Sequence, residues 1–328
     1  MKPNIVVSLV LMVVVIGFGY IIAPSSGSFG ITIMSGLFQG MLLFLVAAGL
    51  SIIFGLMDVL NFAQGAYFMV GAYVSYSVHH SPDLIVSIPD PNVRFFLAVV
   101  SAVVVGALLG AFLERVLLRP LYSRPIFQIV LTFGVAIVMT EAVKWVWNTT
   151  PYSWTELFAL RDQNFELFGQ SIGVYRLVVI GIGFALIVII GLLLQRTRIG
   201  IIIRAGVEDR EMVEALGINV RMVFTLVFTI GCAVASFGGA IAAPFLGASI
   251  GLANLFLLSA IAVVVLGGMG SYIGTAIGSI LLGLAVAVMQ VFAGSPAIGM
   301  PVLASMTPMI LMILVLLLRP GGLFGKGR

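Results

Sequence analysis

The sequence predicts an all-α fold, a polytopic bundle of about ten membrane-spanning helices. Hydrophobic residues make up 61% of the 328-residue chain, charged residues only 9%, and the mean hydropathy is +1.24. A soluble domain carries roughly 25% charged residues, so this chain could not solvate its own surface in water. Long stretches such as 174–194 and 222–243 are apolar on every helical face. That pattern excludes the alternation of a membrane β-barrel.

The predicted helices follow from apolar segments close to the length of one bilayer crossing, which takes about 20 residues. In chain order they are Ile5–Ala23, Ile31–Phe54, Val59–Val78, Phe95–Leu118, Ile126–Trp147, Val174–Leu194, Met222–Ala243, Leu252–Leu266, Tyr272–Phe292 and Pro301–Leu318. The segment after Gly251 is short for a full crossing. The first segment could also be a signal peptide, but its length favours a retained helix.

The positions of Arg and Lys predict the orientation, because cytoplasmic loops are enriched in these residues. Three basic clusters and Lys2 fall on one side of the membrane if successive helices cross in alternating directions. The first cluster is Arg115, Arg119 and Arg124, the second is Arg196, Arg198, Arg204, Arg210 and Arg221, and the third is Arg319, Lys326 and Arg328. Both termini are therefore expected in the cytoplasm. A single domain, 1–328, would carry a cytoplasmic loop at 196–221 and a periplasmic loop at 148–175. The periplasmic loop is expected to be amphipathic, with a short interfacial helix or a docking surface as alternatives.

The last four predicted helices contain no charged side chain and no histidine. Between Met222 and Leu318 there is no Asp, Glu, Lys, Arg or His. Coupled carriers and intramembrane enzymes place such groups inside the membrane, so both classes are disfavoured. Cys232 is the single cysteine, which excludes an intrachain disulfide and a cysteine metal site. If the chain moves a solute, the energy is expected to come from another subunit.

The first half has a few ionisable residues near helix ends. The pair Glu114–Arg115 is expected at a cytoplasmic end, where both side chains reach water. Glu141 and Lys144 are three residues apart on one helix near its outer end, so they are expected to form an ion pair. His79–His80 adjoins an outer loop and is expected to be solvated. None of these patterns points to catalysis.

The cytoplasmic loop 196–221 contains a pattern typical of a short amphipathic helix over Val207–Gly217. Asp209 is placed to cap its start, and Gly217 suits a left-handed stop. From the cap at Asp209 to the stop at Gly217 the helix is about 12 Å long at 1.5 Å per residue, and it lies flat on the membrane or inserts into a partner. The residues of this segment that would make the contact are Glu208, Asp209, Arg210, Glu211, Met212, Glu214, Ala215, Leu216 and Gly217.

A second polar segment precedes the third predicted helix. Asp58 is placed to cap that helix, while Asn61 and Gln64 lie three residues apart on one face. Amide side chains in a membrane helix either bind helices together or contact a polar group of a solute. Both interpretations remain open from the pattern alone.

Glycine-rich segments recur in both halves, at Gly65 and Gly71 and again at Gly267, Gly268, Gly270 and Gly274. An inverted repeat, common in transporters, is compatible with this recurrence and with similar helix counts in the two halves.

Several ordered motifs together resemble the shorter permease type of bacterial ATP-binding-cassette importers for branched-chain amino acids. The matching residues are Leu60–Gly65, Glu114–Arg115, Arg119–Leu121, Gly200, Arg204–Ala205, Asp209, Ala215–Ile218, Val265–Ser271, Gly274 and Arg319–Gly325. The resemblance covers nearly the whole chain from about Phe38. The composition also disfavours nucleic-acid binding, since the basic residues are few and clustered at loops.

The resemblance implies that the Glu208–Ile218 segment is a coupling helix seated in an ATPase subunit. It further implies two ATP-binding subunits, a second permease subunit that makes a heterodimer, a periplasmic solute-binding protein and a location in the bacterial inner membrane. ATP hydrolysis would belong to the partners, so this chain is expected to be neither an enzyme nor a cofactor carrier. No phosphate-binding Gly-rich motif with Lys-Ser/Thr occurs in the sequence.

The expected solute is a branched-chain or other small apolar amino acid. The pathway residues would be Asn61, Phe62, Gln64, Gly65, Gly267, Gly268 and Gly270. The family commonly has His in place of Gln64 and an acid in place of Ala66. Because of these two departures, urea, short amides and small organic acids remain alternative solutes. An ATP-independent facilitator is the alternative mechanism.

Overall fold

The computed structural model describes residues 3–22, 26–155, 163–167, 170–197, 200–202, 205, 212–213, 217, 219–295 and 298–325. Within these ranges the chain forms helices α1 (Pro3–Ile22), α2 (Ser26–Met57), α3 (Gln64–His79), α4 (Pro82–Ser87), α5 (Pro91–Phe112) and α6 (Pro125–Trp147), the antiparallel hairpin β1 (Asn164–Leu167) and β2 (Gln170–Gly173), and helices α7 (Val174–Arg196), α8 (Val220–Leu246), α9 (Gly251–Gly267), α10 (Tyr272–Ala293) and α11 (Val302–Leu318). A π-helical turn, Leu113–Leu118, and a 3-10 turn, Arg119–Leu121, follow α5.

The all-α membrane class is confirmed, and each predicted helix coincides with an observed one. Within the part of the chain that the structure describes, six helices are apolar and long enough to cross a membrane: Gly27–Met57, Pro91–Leu121, Pro125–Trp147, Val174–Arg196, Val220–Leu246 and Tyr272–Ala293. The short helix α4 and the β-hairpin were not predicted. The hairpin falls in the loop 148–175. Its register pairs Asn164 with Gly173 at one end and Leu167 with Gln170 at the other.

The chain divides into two compact units, and each is discontinuous in sequence. The first comprises Met1–Ala47, Leu160–Ala185 and Ser259–Arg328. The second comprises Ala48–Ala159 and Leu186–Leu258. In the second unit α3, α5 and α8 pack against one another. A buried apolar cluster in this unit joins α3 and α8 to the end of α2, the residues before α3 and the turn after α5; its members are Ile53, Val59, Ala63, Tyr67, Leu113, Leu118, Phe228, Cys232 and Ala235.

Close backbone contacts hold α3 against α8. A Cβ atom at Gly71 would overlap the backbone of Ser236, and one at Gly239 would overlap the carbonyl of Phe68. Ser236 adds a hydrogen bond by donating its hydroxyl to Tyr67 O at 3.0 Å. Since lipid gives helices no hydrophobic drive to associate, close packing at small residues supplies much of the attraction.

In the first unit α10 packs against α1 and α11, and its Gly283 lies against the backbone of α2 at Gly36 and Gly40. The turn after α9 then holds the C-terminal tail. Leu323 N donates to Leu266 O at 2.9 Å, and Phe324 N donates to the next carbonyl at 3.0 Å.

The boundary between α2 and α3 differs from the prediction. Helix α2 continues to Met57, Asp58 adopts φ +54°, and α3 begins only at Gln64. The expectation that Asp58 caps α3 is wrong, because the N-cap position is Ala63 and carries no capping side chain. The residues between the two helices are therefore an irregular break of the backbone within the second unit.

Replacing Gly71 by Val is expected to destabilise the protein by about 3 kcal/mol or more, because the new side chain must displace the backbone of Ser236. The matched control is Gly134→Val on α6, where a Cβ meets open space. That variant should change the free energy of unfolding by less than about 0.5 kcal/mol. Thermal denaturation in detergent compares the two. Equal midpoints would contradict the packing of α3 on α8.

Candidate functional site

The break before α3 is held by buried amides. The side chains of Asn61 and Gln64 are 1% and 0% exposed. Asn61 Nδ2 donates to Gln64 Oε1 at 3.1 Å, and Gln64 Nε2 donates to Gly231 O on α8 at 3.0 Å. Asn61 Oδ1 also accepts from Ala63 N at 3.1 Å. The two amides thus bind the break to α8, and a direct contact with solute stays a prediction.

Helix α6 contacts the same break from another side. The hydroxyl oxygen of Thr132 lies 3.3 Å from both Leu60 O and Phe62 N. Thr132 is itself fully buried. This contact holds the backbone at Phe62, which is half-buried, so that its ring lies beside α6.

A pocket of about 220 Å³ lies next to this break, within the second unit. It is lined by Phe62 and Ala66; by Phe133, Ala136, Ile137, Thr140 and Glu141 of α6; and by Ala253, Asn254 and Leu257 of α9. Of the predicted pathway residues, Phe62 lines it directly, and Gly65 packs against the carbonyl of Ala253 at its edge. The lining combines an apolar wall with a carboxylate, an amide and a hydroxyl.

The remaining lining residues were not predicted as a site, although the sequence contained a signal for those on α6. Phe133, Ile137, Thr140 and Glu141 follow the i, i+4, i+7, i+8 spacing of one helical face. An ionisable residue at the end of such a face is a functional candidate. Asn254 carried no comparable signal, because one amide among apolar residues is common.

The pocket extends along α6 away from the aromatic residues at the C-terminal end of that helix. Along α6, Thr132 is level with the break, while Trp147 Nε1 donates to Ser77 Oγ near the end of α3. These two levels are about 22 Å apart along the helix, and Glu141 is about 9 Å inward of Trp147. The predicted ion pair is confirmed, since Lys144 Nζ lies 2.6 Å from Glu141 Oε1.

The structure corrects the expectation for Glu114, which was expected to reach water. Its side chain is 0% exposed, whereas Arg115 is exposed as expected. Tyr122 Oη donates to Glu114 Oε1 at 2.5 Å, and Arg119 Nε lies 3.5 Å from the same oxygen. The π-helical turn carries Glu114 inward, where these two residues compensate its charge. Arg119 also donates to Thr225 Oγ1 at 2.9 Å, which ties the turn to α8.

The expectation of solvated histidines is wrong for His79, which is fully buried. Its ring lies 4.6 Å from that of Trp154, and Tyr76, His80 and Phe95 complete the aromatic cluster. The segment after α6 packs against the end of α3 and the start of α5 through Trp154, and Tyr152 pairs with Ala248 in an antiparallel bridge. Burial of Trp154 therefore makes this cluster part of the packing.

The predicted glycines Gly267, Gly268 and Gly270 lie in the turn between α9 and α10, in the first unit. Gly268 has φ +99° and packs against the backbone of Gly325. A side chain at this position would meet both a left-handed backbone and the tail. The geometry gives this turn a packing function, and its place in a solute pathway stays a prediction.

Most of the predicted coupling segment lies outside the described residues: Glu208, Asp209, Arg210, Glu211, Glu214, Ala215 and Leu216. Met212 is exposed and Val213 is buried. Gly217 has φ +80°, which confirms the left-handed conformation expected there.

The apolar helices define a multi-pass membrane protein. The sequence model of the family "branched-chain amino acid transport system / permease component" matches residues 31–316. The chain belongs to this family.

Three relatives align with this chain over most of their own length and most of the length of this chain. The high-affinity branched-chain amino acid transport system permease protein BraD of Pseudomonas aeruginosa is 29% identical over 306 residues, which cover 90% of this chain and 95% of that protein. LivH of Escherichia coli K12 is 28% identical, covering 86% and 91%. The probable LivH of Methanocaldococcus jannaschii is 26% identical, covering 87% and 89%.

Among solved structures, "PsaBC from Streptococcus pneumoniae in complex with Fab" has a TM-score of 0.46 at 12% identity. The match covers 92% of this chain and 95% of the other.

Replacing Arg119 by Gln is expected to lower the free energy of unfolding by about 2 kcal/mol, because it removes the cation beside the buried carboxylate of Glu114. Arg115→Gln is the matched control, since this arginine is exposed on the π-helical turn that precedes Arg119. Thermal denaturation of both purified variants provides the measurement. A larger loss for the Arg115 variant would show that the Glu114 contact does not stabilise the turn.

Proposed function

We propose that this chain is the transmembrane permease subunit of an ATP-binding-cassette importer for branched-chain or other small apolar amino acids. The observation that carries the proposal is the family match over residues 31–316. The names of the relatives, which are permease proteins of branched-chain amino acid transport systems, support the choice of solute.

The proposed topology is a single permease domain, 1–328, that crosses the bacterial inner membrane ten times. Both termini lie in the cytoplasm. The shorter helices α1, α3, α9 and α11 would complete the crossings made by the six long ones. The basic clusters support this orientation, with 196–221 cytoplasmic and 148–175 periplasmic. An inverted repeat is part of the same proposal.

The proposed partners are two ATP-binding subunits, a second permease subunit that makes a heterodimer, and a periplasmic solute-binding protein. The chain itself would bind no nucleotide and catalyse no reaction, so ATP hydrolysis belongs to the partners. The segment from Glu208 to Gly217 would seat in an ATPase subunit. Its mixed charges and the left-handed Gly217 support a short helix that ends there.

The proposed mechanism is alternating access, in which ATP binding moves the coupling segments and opens the bundle outward. The pathway would pass the break at Asn61, Phe62, Gln64 and Gly65, with the glycine turn 267–270 allowing helices to move. The buried amides support a positioning function for Asn61 and Gln64, since they hold Phe62 beside the pocket. Urea, short amides or small organic acids remain the alternative solutes, and an ATP-independent facilitator the alternative mechanism.

Purification from the native membrane in mild detergent tests this function. Stoichiometric ATP-binding subunits and a second permease should accompany the tagged chain. After reconstitution with the binding protein, uptake of leucine into liposomes should require ATP. A lone chain that moves solute without ATP would instead establish a facilitator.

The double variant Glu214→Arg, Gly217→Pro tests the coupling segment. Proline cannot adopt the φ of +80° found at Gly217, and the arginine reverses one charge of the segment. Association with the ATPase and uptake should both be lost. Gly299→Pro is the control, because Gly299 also has a positive φ of +58° but lies in the turn before α11. If the double variant keeps its ATPase partner, the coupling assignment is wrong.

A further inference from the structure

We infer that the pocket between the break, α6 and α9 binds the transported amino acid as a zwitterion, with Glu141 accepting its α-ammonium group. The inference rests on the proposed function and deepens it by assigning the solute's charged groups to side chains. Neither Glu141 nor Asn254 belongs to the residues expected from the sequence to line the pathway.

The apolar wall fits the side chain of such a solute. Phe62, Phe133, Ile137 and Leu257 line the pocket together with the small residues Ala66 and Ala136. Its volume of about 220 Å³ is below the range of about 300–1,000 Å³ that holds drug-sized ligands. A pocket of this size suits one small solute with an aliphatic side chain.

The carboxylate of Glu141 retains capacity for a second cation. Its Oε1 contacts Lys144 at 2.6 Å, while a carboxylate offers about four lone-pair sites on two oxygens. The Glu141 side chain is 61% exposed and lines the pocket, so an ammonium group can reach it there.

The solute's carboxylate would contact Asn254, which also lines the pocket. Asn254 is exposed there in the first turn of α9 and offers amide donors. The N-terminal end of a helix also favours a negative charge. The pocket therefore places an acceptor for the ammonium and donors for the carboxylate around one apolar wall.

The exposure of this ion pair supports a hydrated pathway. Charged side chains in membrane helices almost always face a water-filled cavity or the bundle interior, because contact with lipid is costly. The pair lies about 9 Å inward of Trp147 along α6. The face of α6 that carries Glu141 is accordingly expected to face water and not lipid.

Thiol labelling in the reconstituted complex tests the pocket directly. The native Cys232 is fully buried, so the wild-type chain gives a low background. A charged methanethiosulfonate reagent reacts only with thiols that water reaches, so it should modify Thr140→Cys in the pocket. The control is Val138→Cys, which is exposed on the same helix but does not line the pocket; it is expected to face lipid and to remain unmodified. Leucine at ten times its Kd should slow the reaction about tenfold.

Two ligands then test the ammonium contact. The analogue 4-methylpentanoate, which lacks the ammonium group, should protect Thr140→Cys much less than leucine does. Adding Glu141→Gln should abolish this difference. Equal protection by both compounds, or no protection by leucine, would overturn the inference.

Uptake variants separate solute binding from a purely structural ion pair. Glu141→Gln should lower ATP-driven leucine uptake at least about tenfold, a difference of about 1.4 kcal/mol. Lys144→Gln should retain most uptake, and the double variant Glu141→Gln, Lys144→Gln should remain as low as Glu141→Gln. A structural pair would give equal losses and recovery in the double variant, which would overturn the inference.

Uptake by the wild-type complex separates a failure of the zwitterion site from a failure of the proposed function. If it imports leucine and the variants behave as a structural pair, the zwitterion site is wrong and the proposed function stands. If it imports no branched-chain amino acid, the proposed function fails and the site falls with it. Should Glu141→Gln fail to assemble with the ATPase, protection of Thr140→Cys in an otherwise wild-type chain decides.

Discussion

The amide contacts of Asn61 and Gln64 hold the irregular backbone between α2 and α3 against α8, and the second unit depends on them. Without a hydrogen-bonding solvent in the membrane interior, a break in a helix persists only where its polar groups find partners in the protein. Asn61 Oδ1 supplies one such partner by accepting from Ala63 N, and Thr132 supplies another at Phe62. The Gln64 amide then joins the start of α3 to α8 by donating to Gly231 O. The break in turn places Phe62 and Ala66 at the pocket.

The glycine contacts extend the same constraint along α3. Gly65 allows the carbonyl of Ala253 to approach, and Gly71 allows the backbone of Ser236 to do so. These contacts bring α8 and the start of α9 to α3 without intervening side chains. Because the backbones touch, a small rotation of one helix must displace the other. Helices α3 and α8 and the start of α9 would therefore move together during transport.

The sequence predicted the helices well because apolar length and composition determine them, and the Glu141–Lys144 pair because its spacing is local. The break at 58–63 was not predictable, since Asp58 before an apolar run is also the pattern of an ordinary cap. Burial of Glu114 and His79 depends on a π-helical turn and on the bridge from Tyr152 to Ala248, and neither has a local signal. The pocket was missed because its three walls are far apart in the chain.

The most direct test of this account is the stability and leucine uptake of Gln64→Leu, compared with Gln128→Leu. Both variants remove a buried amide that donates to a backbone carbonyl, Gly231 O in the first case and Leu121 O in the second. If the amides hold the break, Gln64→Leu lowers both the thermal midpoint and leucine uptake, while Gln128→Leu lowers the thermal midpoint alone. If Gln64→Leu abolished uptake and kept the wild-type midpoint, Gln64 would contact solute and the amide bridge would not hold the break.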